Sequence, residues 1–347
     1  MNLKCFDKII VHDLTVKKHS ITAKYTIEVG GIRKEYKLIE SYNEPIEIKG
    51  LEEIAGLISI VPAINYGLFT DEIKIDFSLN TLDKDFFIDM MYITSRDIFV
   101  NKIVTRTGLI KEEYIPRENE ISVEDAEPKA YVNFRELDSG TNIELEPEYK
   151  KSGVMSSGGK DSLTTYGILS EIGLETYPFF LNESGRHWIV SLKAYKFLSR
   201  HDNNTRRIWS NIDRLFAFIE RNMKIVKPYY WRISNETYPV MLFWFEHYVF
   251  SFLPYIVKYR IGNISLGNEY DDPTGLSYYY KGIRHYYGMY DQSQDFDKYM
   301  TKWFEKRGFH IKQWSPIRPV SGLIVERILY KRYPVYSSCR QAVTQHT

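Results

Sequence analysis

The sequence predicts an α/β protein in which a doubly wound parallel sheet is preceded by a smaller α+β domain. After residue 148, short apolar runs alternate with helical patterns, an order typical of a parallel sheet covered by helices. Before that point, apolar and polar residues alternate with the period of a half-buried strand. The stretch 105–150 is polar and acidic, and all six tryptophans follow it. We therefore expect an N-terminal α+β domain with an acidic linker at 1–148 and a second domain at 149–347.

The first elements form a predicted hairpin. In ITAKYTIEV (21–29) apolar side chains occupy every second position, so one face of the strand is buried. Gly30 and Gly31 supply the positive φ angles of a tight turn, and IRKEYKLIE returns as the partner strand. The other predicted elements of this domain are helices at 51–61 and 82–93 and strands at 74–77 and 132–135.

Strands and helices alternate in the second domain. A short strand at 152–155 leads into a helix with an apolar stripe made of Leu163, Tyr166, Leu169 and Ile172. The remaining predicted elements are strands at 176–181 and 263–268, helices at 188–200, 213–222 and 240–258, and a loop followed by a basic-ended helix within 314–334. This order predicts helices on both faces of the sheet.

Composition excludes several classes of protein. With 347 residues, of which 44% are apolar and 26% charged, the chain is long enough for a proper core. Its 46 basic and 45 acidic residues produce no overall field for nucleic acid or an anionic membrane. Cys5 and Cys339 are the only cysteines, which favours a reducing compartment over a disulfide framework. The N-terminus MNLKCFDKII lacks the apolar run of a signal peptide, so we expect a cytoplasmic protein.

One apolar segment approaches the length of a membrane span. The stretch YPVMLFWFEHYVFSFLPYIV (238–257) carries Glu246 and His247 near its middle. A charged group at the centre of a bilayer costs about 3 kcal/mol even on lenient scales. We therefore expect a buried helix and no membrane partner.

The stretch GVMSSGGKDS (153–162) joins the first predicted strand of the second domain to its helix. Gly158 and Gly159 let the backbone turn closely around an anion, while the hydroxyl groups and Lys160 supply hydrogen bonds and charge. The P-loop pattern requires Gly-Lys followed by Ser or Thr, whereas Asp161 follows Lys160. The loop is therefore a phosphate cradle of another kind, or an ordinary turn.

The segment SGGKDS (157–162) resembles the SGGxDS signature of the PP-loop ATP pyrophosphatases, which have a HUP-type, Rossmann-like fold. The resemblance implies ATP and Mg²⁺: the loop holds the β,γ-pyrophosphate while a substrate oxygen attacks the α-phosphorus. It implies that the pyrophosphate is held by Ser157, Gly158, Gly159, Lys160 and Ser162. Lys160 and Asp161 would then be catalytic, with Asp161 also helping to hold Mg²⁺, although an aspartate at a helix N-terminus is also a good structural partner for backbone N–H groups.

Two more polar clusters follow predicted strands, where a doubly wound sheet collects its ligands. In NESGRHW (182–188) the candidate nucleotide or substrate contacts are Asn182, Glu183, Arg186 and His187, with Arg186 able to hold a carboxylate or phosphate; the alternative is a capped loop. In LGNEYDDP (266–273) the candidates are Asn268 as a nucleotide contact and Glu269 and Asp272 as metal ligands; the alternative is a solvated turn.

A third stretch, GIRHYYGMYDQSQDFD (282–297), mixes tyrosines with basic residues and fits either base stacking or an aromatic core. Within it, His285 is the candidate proton carrier. Farther along, Arg318 is a candidate for facing the site.

The order SGGKDS, NESGRHW, LGNEYDD and SSC is similar to that of a subgroup near the UDP-N-acetylmuramoyl-L-alanyl-L-glutamate epimerases. That resemblance implies ATP-dependent activation of a small-molecule acid, with epimerisation of a peptidyl glutamate as one such reaction. Relatives of this kind are expected to carry further cysteines after Cys339, where this sequence reads RQAVTQHT. The alternatives are a nucleotide-binding protein without turnover and a tRNA- or nucleobase-modifying enzyme; a homodimer is left open.

Overall fold

The computed structural model describes residues 2–105, 107–138, 143–233, 238–270, 276–286 and 289–340. In these ranges the strands are β1 (Phe6–Lys17), β2 (Ser20–Val29), β3 (Ile32–Tyr42), β4 (Thr70–Asn80), β5 (Tyr131–Asp138), β6 (Glu148–Met155), β7 (Glu175–Asn182), β8 (Arg206–Ser210), β9 (Ile261–Ser265), β10 (Ser277–Tyr280), β11 (Ile283–Tyr286) and β12 (Lys312–Trp314). The helices are α1 (Leu51–Ile60), α2 (Thr81–Ile98), α3 (Lys160–Glu171), α4 (Arg186–His201), α5 (Ile212–Arg221), α6 (Phe245–Lys258), α7 (Gln294–Lys306), α8 (Gly322–Arg332) and α9 (Pro334–Cys339).

Ten strands form one sheet in the order β12-β9-β6-β7-β8-β3-β2-β1-β4-β5, and β10 and β11 form a separate hairpin. The first five strands of that order are parallel. Antiparallel pairing of β3 with β8, where Glu40 lies opposite Ser210, joins them to the N-terminal strands. The prediction of an α/β protein with a mostly parallel sheet is confirmed. Because the sheet runs unbroken across residue 148, the predicted division into two domains stays a prediction.

The N-terminal hairpin follows from its alternating sequence. Ile21, Ala23, Tyr25 and Ile27 are buried, whereas Val29 at the end of β2 is 40% exposed. Gly30 and Gly31 have φ of 56° and 81°, values that favour glycine, and they connect β2 to its antiparallel partner β3. The predicted hairpin is therefore confirmed, with its buried face ending at Ile27 rather than at Val29.

Helices cover both faces of the parallel strands. On one face, Val154 and Phe180 pack with α3 and α4 side chains in a small apolar cluster. On the other face, the Phe179 ring stacks on Phe252 of α6 with centroids 4.5 Å apart. Successive residues of a strand point to opposite faces, so Phe179 and Phe180 anchor the two layers. Each phenylalanine is completely buried.

Two details of the second half differ from the expectation. Leu163, Tyr166 and Leu169 of the predicted α3 stripe are buried, but Ile172 is 64% exposed because the helix ends at Glu171. The apolar segment at 238–257 contributes α6, which begins only at Phe245 and buries Glu246 and His247. None of the helices in the described residues combines the length and apolarity needed to cross a membrane.

Candidate functional site

A cavity of about 360 Å³ lies at the carboxyl ends of β6, β7 and β9. The chain leaves β6 toward β7 on one side, and β9 pairs with β6 on the other side. Ligands of doubly wound sheets bind where the strand order reverses in this way. The cavity is lined by Met155, Ser156, Ser157, Asp161, Ser162, Phe179, Leu181, Glu183, His187, Ser191, Trp244, Phe245, Tyr248, Leu266, Gly267, Asn268, Met289 and Gln292. Ser157, Asp161 and Ser162 of the predicted loop therefore line this cavity, whereas Gly158, Gly159 and Lys160 are not among its lining residues.

The glycine loop is held tightly against α4. Gly158 has φ of 72°, and a Cβ placed on it would lie 2.8 Å from the Cβ of Ala194. The Ser191 hydroxyl donates a hydrogen bond of 2.7 Å to the Ser157 carbonyl. Both the positive φ and the close approach require glycine at this position. Loop and helix therefore form a rigid wall of the cavity.

The N-terminus of α3 faces this loop. The first hydrogen bond inside the helix runs from the Leu163 N–H to the Gly159 carbonyl, and no side chain of the described residues caps the helix. Ser162 donates its hydroxyl to the Gly159 carbonyl at 3.2 Å. A Cβ on Gly267 would lie 3.0 Å from Asp161 and Ser162 atoms, so the segment after β9 packs directly on this helix end. Uncapped N–H groups and the helix dipole make such an end suitable for an anion.

Asn268 brings an unused donor to the same cavity. The residue is 4% exposed, and its Nδ2 has no hydrogen-bond partner among the described residues. Its backbone is fixed because its carbonyl accepts a hydrogen bond of 2.7 Å from the Ser315 hydroxyl. A buried donor left unpaired costs about 1–3 kcal/mol. A ligand oxygen that reached this amide would remove that cost.

Lys160 joins Asp161 to Glu269. Its Nζ lies 2.5 Å from Asp161 Oδ1 and 2.6 Å from Glu269 Oε2. Burial opposes the charged ammonium, but the hydrogen bonds to both carboxylates prevail and raise the pKa of Lys160. Burial also raises the pKa of Glu269. The three charges form a cluster whose negative groups already share a cation.

The predicted Mg²⁺ ligands do not form a metal site in the described residues. Asp161 and Glu269 both contact the Lys160 ammonium, and no group of three or more potential His, Cys, Asp or Glu ligands occurs in the described ranges. The third predicted ligand, Asp272, lies outside the described residues. The Mg²⁺ site therefore stays a prediction.

A second polar pair lies across the cavity. Glu183 Oε1 is 3.5 Å from His187 Nδ1 and has no hydrogen-bond partner in the described part of the chain. Burial raises the pKa of Glu183 to about 7. Nearby, Asp213 accepts a hydrogen bond of 2.6 Å from the Tyr238 hydroxyl, and burial raises its pKa as well. With a pKa of about 7, the Glu183 carboxyl can hold or release a proton near neutral pH.

Other predicted residues lie apart from the cavity or serve the loop. Asn182 Oδ1 accepts from the Ser184 N–H at 3.1 Å and shapes the turn before α4. His285 lies in β11, where its ring contacts Tyr278, and it does not line the cavity. Arg318 pairs with Asp297 at 2.9 Å and lines a separate cavity. Arg186 begins α4, but its side chain lies outside the described residues.

Sequence reasoning missed an aromatic wall. Trp244, Phe245 and Tyr248 line the cavity from the start of α6. The Asp291 carboxylate fixes this start by accepting from the N–H groups of Trp244 and Phe245 at 2.8 and 2.7 Å. These aromatics precede a strand rather than follow one, so the search at strand ends did not find them. No local sequence pattern indicates that the Asp291 carboxylate accepts hydrogen bonds from the start of α6.

Comparison of the chain with protein-family models, with curated proteins and with solved structures finds no match in any of the three.

Proposed function

We propose that this chain is an adenylating enzyme that binds ATP at the cavity, activates an oxygen of a small-molecule acid and releases pyrophosphate. The oxygen belongs to a carboxylate, or to a carbonyl or amide group. Bound ATP supplies an α-phosphorus that this oxygen attacks, with pyrophosphate as the leaving group. Epimerisation of a peptidyl glutamate is one reaction that such activation permits. A cytoplasmic location and a HUP-type sheet are parts of the same proposal.

The observation that carries the proposal is the cradle around the N-terminus of α3. Three features meet there. The uncapped N-terminus of α3 places Asp161 and Ser162 on the cavity wall, Asn268 lines the cavity with an amide that is unpaired among the described residues, and Gly158 takes a left-handed conformation next to the lining residue Ser157. All three favour a ligand with several anionic oxygens. The cavity volume of about 360 Å³ lies within the usual range for small-ligand sites.

Strand order supports a nucleotide in this cavity. Numbered along the chain, β6, β7, β8, β9 and β12 are arranged 3-2-1-4-5, and the cradle follows the first strand. Dinucleotide-binding folds have this arrangement and place phosphate at the same helix end. The aromatic wall made by Trp244 and Phe245 lines the other part of the cavity and offers flat surfaces for an organic ring.

Each polar group has a distinct proposed task. The cradle holds the charge of the departing pyrophosphate, and Lys160 adds a positive charge beside it. His187, whose Nδ1 lies 3.5 Å from Glu183 Oε1, exchanges a proton with the substrate. Because Asp161 and Glu269 hold Lys160, the proposal assigns no step to Mg²⁺.

The second candidate function is nucleotide binding without turnover. It is favoured by the same contacts of Lys160, since an ammonium held by two carboxylates is less available to phosphate. On this alternative, the cradle binds a nucleotide and no candidate acid stimulates pyrophosphate release.

Calorimetric titration with pyrophosphate and with orthophosphate tests the cradle without knowledge of the substrate. We expect pyrophosphate to bind at least about tenfold more tightly, and Asn268→Ala to weaken it about tenfold, because a hydrogen bond to a charged group contributes about 1.5–3 kcal/mol. Asn133→Ala, which alters an amide bound to Glu72 outside the cavity, is the matched control. Equal affinity for both anions, or no effect of Asn268→Ala, would contradict the proposal.

A further inference from the structure

A second cavity, of about 400 Å³, lies at the end of α5 and shares no lining residue with the first. We call it the basic cleft. Its lining residues include Lys111, Arg221, Lys224, Lys227, Tyr229, Tyr230 and Trp231. The chain as a whole carries a formal charge of only +1. Four cations and three aromatic rings at one cleft are therefore a local concentration that the overall composition conceals.

Backbone hydrogen bonds fix the shape of the basic cleft. The Lys111 N–H donates to the Ile225 carbonyl and the Lys227 N–H to the Leu109 carbonyl, each at 2.9 Å. Tyr229 then takes a left-handed conformation with φ of 60°, which turns the chain into the short helical turn Tyr230–Arg232. These backbone hydrogen bonds therefore hold the segment that carries the cations and rings in a fixed conformation.

Two of the three rings, those of Tyr229 and Trp231, are exposed and pack against cations, whereas Tyr230 is buried. Tyr229 is 60% and Trp231 38% exposed, and their centroids are 5.5 Å apart. The Arg221 guanidinium lies 5.0 Å from the Trp231 ring centroid. Flat rings beside guanidinium groups are the usual surface for stacking a nucleic-acid base.

Most of the positive charge is available to a ligand. Lys227 lies 3.7 Å from Glu112, but Lys111, Arg221 and Lys224 form no ion pair within the described ranges. Glu220 lies at the back of the cleft, where its Oε2 accepts a hydrogen bond of 3.0 Å from the Tyr230 hydroxyl. Burial raises the pKa of Glu220 to about 8, so this carboxyl is mostly neutral at pH 7 and does not cancel the cations.

We propose that the basic cleft binds a nucleotide unit, with its phosphate on Arg221, Lys224 and Lys111 and its base stacked on Trp231 and Tyr229. The unit is either a free mononucleotide or part of a single-stranded nucleic acid. The site is separate from the ATP cradle and does not depend on the activity proposed for that cradle.

Two probes test this inference and distinguish the two sources: cytidine 5′-monophosphate and a fluorescently labelled cytidine hexaribonucleotide. Cytidine probes avoid the adenine base of the ATP proposed to bind in the first cavity. The test variant is Trp231→Ala with Lys224→Ala. The matched control is Tyr330→Ala with Lys331→Ala, an exposed aromatic and cation pair 5.7 Å apart on α8. Binding is measured by calorimetry and by fluorescence anisotropy at several salt concentrations.

We expect the test variant to lose about tenfold or more in affinity, because stacking alone contributes about 1–3 kcal/mol per base. Trp231→Phe, which keeps a ring, should bind within a few-fold of the parent. Tighter binding of the hexamer with a steep salt dependence identifies a strand as the source, and equal binding identifies a mononucleotide.

The inference is wrong if neither probe binds at low salt or if the test variant binds as the parent does. It is also wrong if the control variant loses as much affinity, or if a hexaglutamate peptide binds as tightly as the hexanucleotide. The test variant leaves the residues of the ATP cradle unchanged. Its titration with pyrophosphate therefore distinguishes a failure of the basic cleft from a failure of the ATP cradle.

Discussion

Replacing Gly158 by alanine perturbs the cradle at its most constrained point. An alanine must adopt φ of 72°, and its Cβ would lie 2.8 Å from the Ala194 Cβ. The left-handed conformation costs an L-residue roughly 1–2 kcal/mol. Overpacking of a tight contact adds about 1–3 kcal/mol. Gly158→Ala should therefore lower the free energy of unfolding by about 2–5 kcal/mol.

Gly173→Ala is the matched control for this change. Gly173 has φ of 84°, but a Cβ there meets no atom within 4 Å, so only the conformational cost applies. Urea unfolding should show the smaller loss for Gly173→Ala, and Gly158→Ala with Ala194→Gly should recover part of the difference. Calorimetry should show pyrophosphate binding weakened about tenfold by Gly158→Ala and unchanged by Gly173→Ala. Equal losses of stability in the two variants would refute the close-contact reasoning, and unchanged pyrophosphate affinity would refute the role of the loop.

Two further predictions concern buried charges. The folded protein retains the Glu183 proton up to a pKa of about 7, whereas its ordinary value is 4.5, so this contribution to stability is present at low pH and lost as pH rises through that interval. Glu183→Gln should remove about 2–3 kcal/mol of the fall in unfolding free energy between about pH 5 and pH 8. Urea unfolding at the two pH values checks this, and an unchanged difference between them would contradict the burial of Glu183. Arg307 Nε lies 2.7 Å from Asp83 Oδ1, and Asp83 is fully buried. Arg307→Met should therefore lower the free energy of unfolding by about 3–5 kcal/mol at pH 8, because it leaves Asp83 without its guanidinium partner. Because burial raises the pKa of Asp83 to about 6, thermal unfolding below that pH should show a smaller loss, and a loss independent of pH would count against this account.

The sequence predicted those strands and helices whose apolar residues recur with a regular period. The alternation in 21–29 and the glycines after it indicated β2 and β3, and the apolar stripe of Leu163 and Leu169 indicated α3. β12, with three residues, is too short to show any period. Likewise, no local pattern indicates the pairing of β3 with β8, which joins residues about 170 positions apart and makes the sheet continuous.

The candidate site was predictable where its chemistry is local in sequence. The cradle residues Ser157 to Ser162 are consecutive, and their glycines indicate a tight turn before a helix. Glu269 was a candidate as a metal ligand, but its contact with Lys160 depends on the packing of the β9 end against α3. His285 was a candidate because tyrosines and basic residues surround it in the sequence. In the structure it belongs to the β10–β11 hairpin, where its ring contacts Tyr278.

Incubation with ATP labelled on its α-phosphorus, in the presence of small carboxylic acids that include glutamyl peptides, tests the central claim most directly. The account predicts that the label appears in AMP, with one pyrophosphate released per AMP, and that Ser157→Ala and Asp161→Ala abolish this release. Label recovered in ADP, with orthophosphate as the other product, would contradict it, because the bond broken would then be between the β- and γ-phosphates.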